Sequence, residues 1–378
     1  MENKNRIGIV TFHDTVNYGG VLQCFALQQV LLKMGWDPYV INYKREQRLK
    51  NSGSLLRRIV GSIVRAINGP LGARERKTKT EEFVARAFSD LSVPYSSLAE
   101  LQQNPPPGNT YIVGSDQVWN PQIVGWDGAY FLKFGQEEVK RISYGASIGL
   151  DTLNREQISE LSEGLAGFEK ISVREDTAKD IIQSNLGLDC EQVLDPTLLM
   201  EKEDWKSRAT EKPGRKYLLV YVLPGNTSVE KGVRKASEVL AEAMGLEICV
   251  IGDREIKRLT MGKKNLFGVG PQDFIDLVCN ASFIVTNSFH GTAFAANLSV
   301  PFLSVIPEQS NHSSLRSGRL VSLVNLLGLE SRVIETVHLE SALLDANRFG
   351  ELDDLTVASE KLAHARQESI DWLERALS

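Results

Sequence analysis

The chain alternates short, wholly apolar runs with stretches of helical spacing, and that alternation is its strongest constraint. A strand without a polar face must be covered on both sides, and a mostly parallel sheet flanked by helices provides that cover. The first unit opens with RIGIVTF over 6–12, a polar turn, and a helix whose apolar stripe is Val21, Cys24, Leu27, Leu31 and Met34. Gly35 is placed to end that helix, and 38–43 (PYVINY) reads as the second strand. Further strands are predicted at 110–113, 141–147, 170–173 and 191–194. After a breaker stretch at 211–215 the alternation resumes, with strands at 217–223, 247–251, 282–286 and 301–305. Helices are predicted between them near 228–244, 272–280 and 288–298. The pattern implies two α/β domains, 1–204 and 205–350, and a C-terminal helix over 351–378 that returns towards the first.

Composition narrows the class. Lys and Arg number 43 against 48 Asp and Glu, a net charge of −5, which argues against nucleic-acid binding through bulk positive charge. No apolar run approaches the ~20 residues of a membrane span, and the opening MENKNRIGIVTF lacks the apolar core of a leader. A cytoplasmic protein is expected. Cys24, Cys190, Cys249 and Cys279 form no CxxC pair and read as small core residues, and the five histidines are scattered, so no metal site is expected. Residues 44–79 are an exception to the acidic balance: eleven basic residues against Glu46 and Glu75, a local charge of +9. A helical stripe inside it (Leu56, Ile59, Val60, Ile63, Val64, Ile67) fits either a core-facing helix or a surface that meets an anionic membrane face or acceptor.

Ligands of open α/β sheets sit beyond the carboxyl ends of the strands. Three such ends here are far more polar than folding requires. After the first strand lie His13, Asp14, Asn17, Tyr18, Gly19 and Gly20; after 110–113 lie Ser115, Asp116, Gln117 and Trp119; after 282–286 lie Asn287, Ser288, His290 and Gly291. His290, in the first turn of a helix beginning at Ser288, is the leading acid–base candidate. Asp116 is the leading base for a sugar hydroxyl, with Asp14 in reserve. Arg174 at the end of 170–173 is placed to hold a phosphate or carboxylate, and Arg316 and Arg319 lie in a later polar loop.

The segments TFHDTVNYGGVLQCFALQ (11–28), IVGSDQVWNP (112–121), ISVREDTA (171–178), VLDPTLL (193–199) and TNSFHGTAFA (286–295) resemble, in content and order, the polysaccharide pyruvyl transferase family. The resemblance implies two Rossmann-like domains with mostly parallel sheets in a GT-B-like arrangement, with the site in a central cleft. It implies transfer of the enolpyruvyl group of phosphoenolpyruvate to a sugar, forming a pyruvate ketal and releasing phosphate. The donor would be held by Arg174, Asn287, Ser288, Gly291, Arg316 and Arg319, and the acceptor by His13, Asn17, Tyr18, Gly19, Gly20, Ser115, Gln117 and Trp119. His290, Asp116 and Asp14 would carry the proton transfers. No resident cofactor is expected, although a dissociable Mg²⁺ is compatible with the scheme. The partner would be a sugar or lipid-linked glycan, with the 44–80 segment suited to the inner face of a membrane; oligomeric state is open. One departure stands out: Ser288 occupies the place of a family arginine two residues before the histidine, removing an anion contact that Arg316 or Arg319 would have to replace. A nucleotide-sugar-dependent GT-B-like glycosyltransferase, with Asp273 or Asp276 gripping a ribose, is the main alternative, and a non-catalytic sugar-phosphate binding protein the other.

Overall fold

The first helix (Tyr18–Lys33) is buried on nearly every side rather than along one stripe. It has that environment because both domains pack on it, the second through Tyr221 and Phe274 against Tyr18. The computed structural model describes residues 5–44, 72–211, 216–252, 264–308 and 318–378. Among these, one sheet is built from β1 (Arg6–Val10), β2 (Asp37–Val40), β3 (Thr110–Val113), β4 (Lys140–Ala146), β5 (Lys170–Val173) and β6 (Glu191–Gln192). Their order is β2-β1-β3-β4-β5-β6, and every pair is parallel. The second contains β7 (Tyr217–Tyr221), β8 (Glu247–Ile251), β9 (Lys264–Leu266), β10 (Phe283–Thr286), β11 (Phe302–Ile306) and β12 (Val333–Glu335). Its order is β12-β11-β10-β7-β8-β9, again all parallel. Each sheet reverses its winding once, between β1 and β3 in the first and between β7 and β10 in the second. Those two switch points are where such sheets place ligands. The architecture is two Rossmann-like domains in a GT-B-like arrangement.

One apolar cluster runs across both domains, from Ile9 and Leu27 to Phe274, Phe294 and Phe302. Tyr18 crosses the boundary, stacking on Phe274 at 4.7 Å between ring centroids while its hydroxyl donates to the Val269 carbonyl (3.1 Å). Trp205, in the crossing segment, sits edge-on to Phe294 and donates to Thr197 O. The terminal helix (Asp353–Leu377) spans both units: Trp372 packs on Tyr144 of β4, and Ser369 Oγ accepts from the Leu194 amide.

Several boundaries differ from expectation for local reasons. β2 stops at Val40 because Asn42 turns to meet His13 and Ser92, and Tyr43 bridges to Tyr95. The strand expected over 191–194 pairs only through Gln192, since the chain then turns into the Asp195 cap. β9 and β12 are short edge strands with no apolar run to announce them. Residues 45–71 of the basic segment lie outside the described residues. Its described end enters the Ala73–Ala87 helix, where Lys79 pairs with Asp273 of the second domain at 2.9 Å.

Arg332 is buried at the base of β12 and holds the terminal helix to the sheet. Its Nε and Nη2 both reach the Asp354 carboxylate at 2.7 Å, and Nη1 donates to Phe349 O at 2.9 Å. Breaking one side of such a pair costs about 3 kcal/mol or more, because the partner groups stay behind. Arg332→Met is expected to lower the unfolding free energy of the second domain by that amount, read as a lower urea midpoint in denaturant titration.

Candidate functional site

The segments leaving β1, β3, β5, β6 and β10 meet at one place, and Asp195 is at its centre. Its Oδ1 accepts from the amide (3.0 Å) and hydroxyl (2.7 Å) of Thr197, capping the Pro196–Leu199 turn. Its Oδ2 accepts from Arg174 Nη1 at 2.6 Å and Ser115 Oγ at 2.9 Å, and stands 3.6 Å from His290 Nε2. Burial pushes this carboxyl upward, but His290, Arg174 and the Thr197 bond together outweigh it and hold its pKa well below the usual carboxylate range.

Arg174 lies at the end of β5 with its side chain 1% exposed. Besides Asp195 it faces Asp116 at 3.7 Å and Glu175 at 4.0 Å, and its guanidinium lies 4.4 Å from the centre of the Phe289 ring. Burial works against its charge, yet Asp195, Asp116 and Glu175 raise its pKa above the ordinary arginine value. Glu175 Oε1 accepts from Ser147 Oγ and from the amides of Ile148 and Gly149. Buried and without a hydrogen bond are Arg174 Nε and Nη2, Glu175 Oε2 and His290 Nε2. Such atoms are rare in folded proteins, and four of them fall in this one cluster.

His290 enters from the second domain on the first turn of the Phe289–Leu298 helix, whose N-cap Ser288 accepts from the Gly291 amide. Its other nitrogen, Nδ1, faces Gly19 in the first helix. A Cβ at position 19 would lie 1.9 Å from Nδ1, so only glycine permits this approach. Gly19 and Gly20, read from sequence as part of a turn, are helical. A Cβ on Gly20 would come within 3.2 Å of Asp116 Oδ2. Asp116 itself holds a left-handed backbone (φ 78°), uncommon for a residue with a side chain.

The remaining candidates divide. Asp14 lies apart from the cluster, partly exposed and 3.3 Å from Lys44. His13 is buried between Asn42 Oδ1 (3.1 Å) and Thr11 O (3.3 Å), and burial lowers its pKa despite those contacts. Asn17 caps the first helix, and Tyr18 joins the domains. Gln117 is held by Asn120, and Trp119 is wholly buried, donating to Tyr130 O and stacking on Phe131, so it does not line a cleft. Asn287 spends both ends of its amide on the Leu223 backbone. Gly291 serves packing, since a Cβ there would meet Thr286 Oγ1 at 2.4 Å. Arg316 lies outside the described residues, and Arg319 begins the Gly318–Leu327 helix. Asp273 and Asp276 are both engaged, the first by the Gly270 amide and Lys79, the second by Thr210, so neither is poised for a ribose. Asp195 and Glu175 were not singled out from sequence as site residues, although VLDPTLL was quoted. Among the described residues, no group of three or more His, Cys, Asp or Glu is arranged to hold a metal ion.

Fold and site together define a two-domain, GT-B-like protein with a charged cluster where its switch points meet. The model of the polysaccharide pyruvyl transferase family matches residues 17–309, and the chain belongs to that family. No curated protein matches the sequence significantly. Among solved structures, the chain is similar to S. aureus MnaA in a co-structure with UDP (12% identity, TM-score 0.55, covering 98% of this chain and 96% of that one). It is similar as well to UDP-GlcNAc 2-epimerase from Neisseria meningitidis bound to UDP-GlcNAc (10%, 0.51, 98% and 99%). A third is the N-terminal domain of trehalose-6-phosphate phosphatase from Candida albicans (11%, 0.52, 100% and 99%). At these identities the likeness is one of fold.

Phosphoenolpyruvate as donor, with ketal formation, does not stand. The similar solved structures are chiefly UDP-sugar proteins, and the arginine expected to grip the donor phosphate is already matched by three carboxylates. Ser288, at the place of the family arginine, caps a helix.

Two outcomes test this geometry. Gly19→Ala is expected to destabilise the fold by the ~1–3 kcal/mol of an overpacked contact and so lower the melting temperature, while Gly167→Ala, whose Cβ would meet only Arg141 Cδ at 3.7 Å, leaves it unchanged. Asp195 has its pKa depressed in the folded state, so its contribution is complete above about pH 4, where the unfolded carboxyl ionises, and is lost as pH falls below that. Asp195→Asn should therefore cost about 3 kcal/mol or more at pH 7, with the gap to wild type narrowing between about pH 4 and 2 in denaturant titrations.

Proposed function

We propose that this protein is a GT-B-like enzyme acting on a nucleotide-activated sugar, with a UDP-sugar as the first class to test. The observation that carries the reading is the neutralised Arg174: one guanidinium already set against Asp195, Asp116 and Glu175 is not an open cradle for a small, highly charged phosphate donor. A nucleotide diphosphate asks less of side-chain cations, because the first N–H groups of the Phe289–Leu298 helix, at the switch point of the second sheet, suit its oxygens. His290 stands in that same turn and supplies acid–base chemistry towards the sugar. The likeness to UDP-bound proteins supports the same donor class.

Calorimetric titration of wild type with UDP, UDP-GlcNAc and phosphoenolpyruvate separates the readings. Saturable binding of the two nucleotides is expected, weakened tenfold or more (about 1.4 kcal/mol) in His290→Ala. Saturable phosphoenolpyruvate binding without nucleotide binding would overturn the proposal.

A further inference from the structure

We infer that Asp195, in the first domain, is the positioning residue of His290, which reaches it from the second. The inference deepens the proposed function, since it names what orients the acid–base group of that site. Asp195 is fully held by its own domain: Thr197 satisfies Oδ1 twice, and Arg174 and Ser115 satisfy Oδ2. Its one neighbour from the other domain in this set is His290, whose Nε2 is buried, lacks a hydrogen bond and stands 3.6 Å from Oδ2. The carboxylate is thus fixed independently of the histidine, with its charge supported by Arg174.

This geometry assigns the two ring nitrogens. With a carboxylate on the Nε2 side, the neutral ring carries its proton on Nε2, because that tautomer alone points an N–H at the negative oxygen. The lone pair then sits on Nδ1, which faces the first helix at Gly19. The missing side chain at Gly19 has a purpose in this scheme: any Cβ would cover that nitrogen. When Nδ1 takes a proton from a sugar hydroxyl, the oxygen keeps the bonding pair and the ring becomes an imidazolium whose charge Asp195 matches. The groups against the ring are Asp195 on the Nε2 side, Gly19 on the Nδ1 side and Phe289 edge-on from its own helix; Arg174 is joined to the same Asp195 carboxylate, with Asp116 and Glu175 around its guanidinium.

Nitrogen-15 NMR of the full chain labelled in histidine reads the tautomer directly and needs no substrate. The five histidines give few signals, and His290→Gln assigns the one of interest. In wild type, His290 is expected to show its proton on Nε2. In Asp195→Asn the signal should move towards a mixture of the two tautomers, and Asp195→Glu should recover part of the wild-type pattern. Thr197→Val removes a bond to Asp195 but leaves its charge, and is expected to keep the wild-type tautomer, which separates positioning from loosened structure. A proton on Nδ1 in wild type, or a tautomer that ignores Asp195→Asn in a folded variant, would overturn the inference. Failure of nucleotide binding in calorimetry would leave this result untouched and strike only the donor assignment.

Discussion

The contact between Arg174 and Asp195 is the constraint around which the rest of the molecule is arranged. Two charges out of water each lose several kcal/mol of hydration, and only close geometry with further hydrogen bonds offsets that loss. The fold provides it from four directions. β5 delivers the arginine, the turn after β6 delivers the aspartate, Ser115 arrives from β3, and the Thr197 cap fills the remaining lone pairs. Ser147 and the two amides after it hold Glu175 from the end of β4. From the second domain Phe289 covers the guanidinium and His290 approaches the carboxylate. The domain junction is therefore electrostatic at its centre and apolar around it, with Tyr18 on Phe274 and Trp205 on Phe294 forming the surround.

What could be read from sequence follows the range of each interaction. Strand and helix periodicity is local, so two mostly parallel sheets and the limits of the first helix and of the helices near 228–244, 272–280 and 288–298 are visible in it. The polar strand ends are local as well, which is why Arg174, Ser115, Asp116 and His290 were found. Asp195 was hidden by its own dual use: Asp before Pro and Thr reads as a helix cap, and it is one, while its second oxygen serves residues 21 and 80 positions away. Glu175 next to an arginine looks like a solvated pair, and only the packing of β4 against β5 shows it to be buried. Trp119 misled in the opposite direction. Its polar neighbours suggested a cleft, but the Asp116 turn sends the indole into the core beneath Phe131. Gly19 and Gly20 read as turn residues because nothing in the sequence says that another domain will press on a helix there.

The donor question turns on a similar point. A family resemblance carries a residue's identity across, but not the charge state of its surroundings. Arg174 is where the resemblance places it, yet the carboxylates around it leave little positive field for an incoming dianion. Ser288 belongs to the same account. As an N-cap it satisfies the Gly291 amide and starts the helix cleanly, whereas an arginine there would add a cation beside the positive end of the helix macrodipole. The serine favours helix integrity and adds no side-chain cation at that end of the helix.

Splitting a proton-transfer pair between two domains has a physical consequence for how such a cleft works. Asp195 is saturated within its own domain by Arg174, Ser115 and Thr197, so its place does not depend on the histidine. The ring of His290 is held between the domains, because the glycine at 19 and the carboxylate at 195 approach opposite nitrogens of it. Its orientation is therefore set by the packing of one domain on the other, without a dedicated loop. The same arrangement explains why the tightest glycine contact of the junction falls on Nδ1 and the hydrogen-bond-free nitrogen falls on the aspartate side: the ring is gripped along the axis on which its proton must be set.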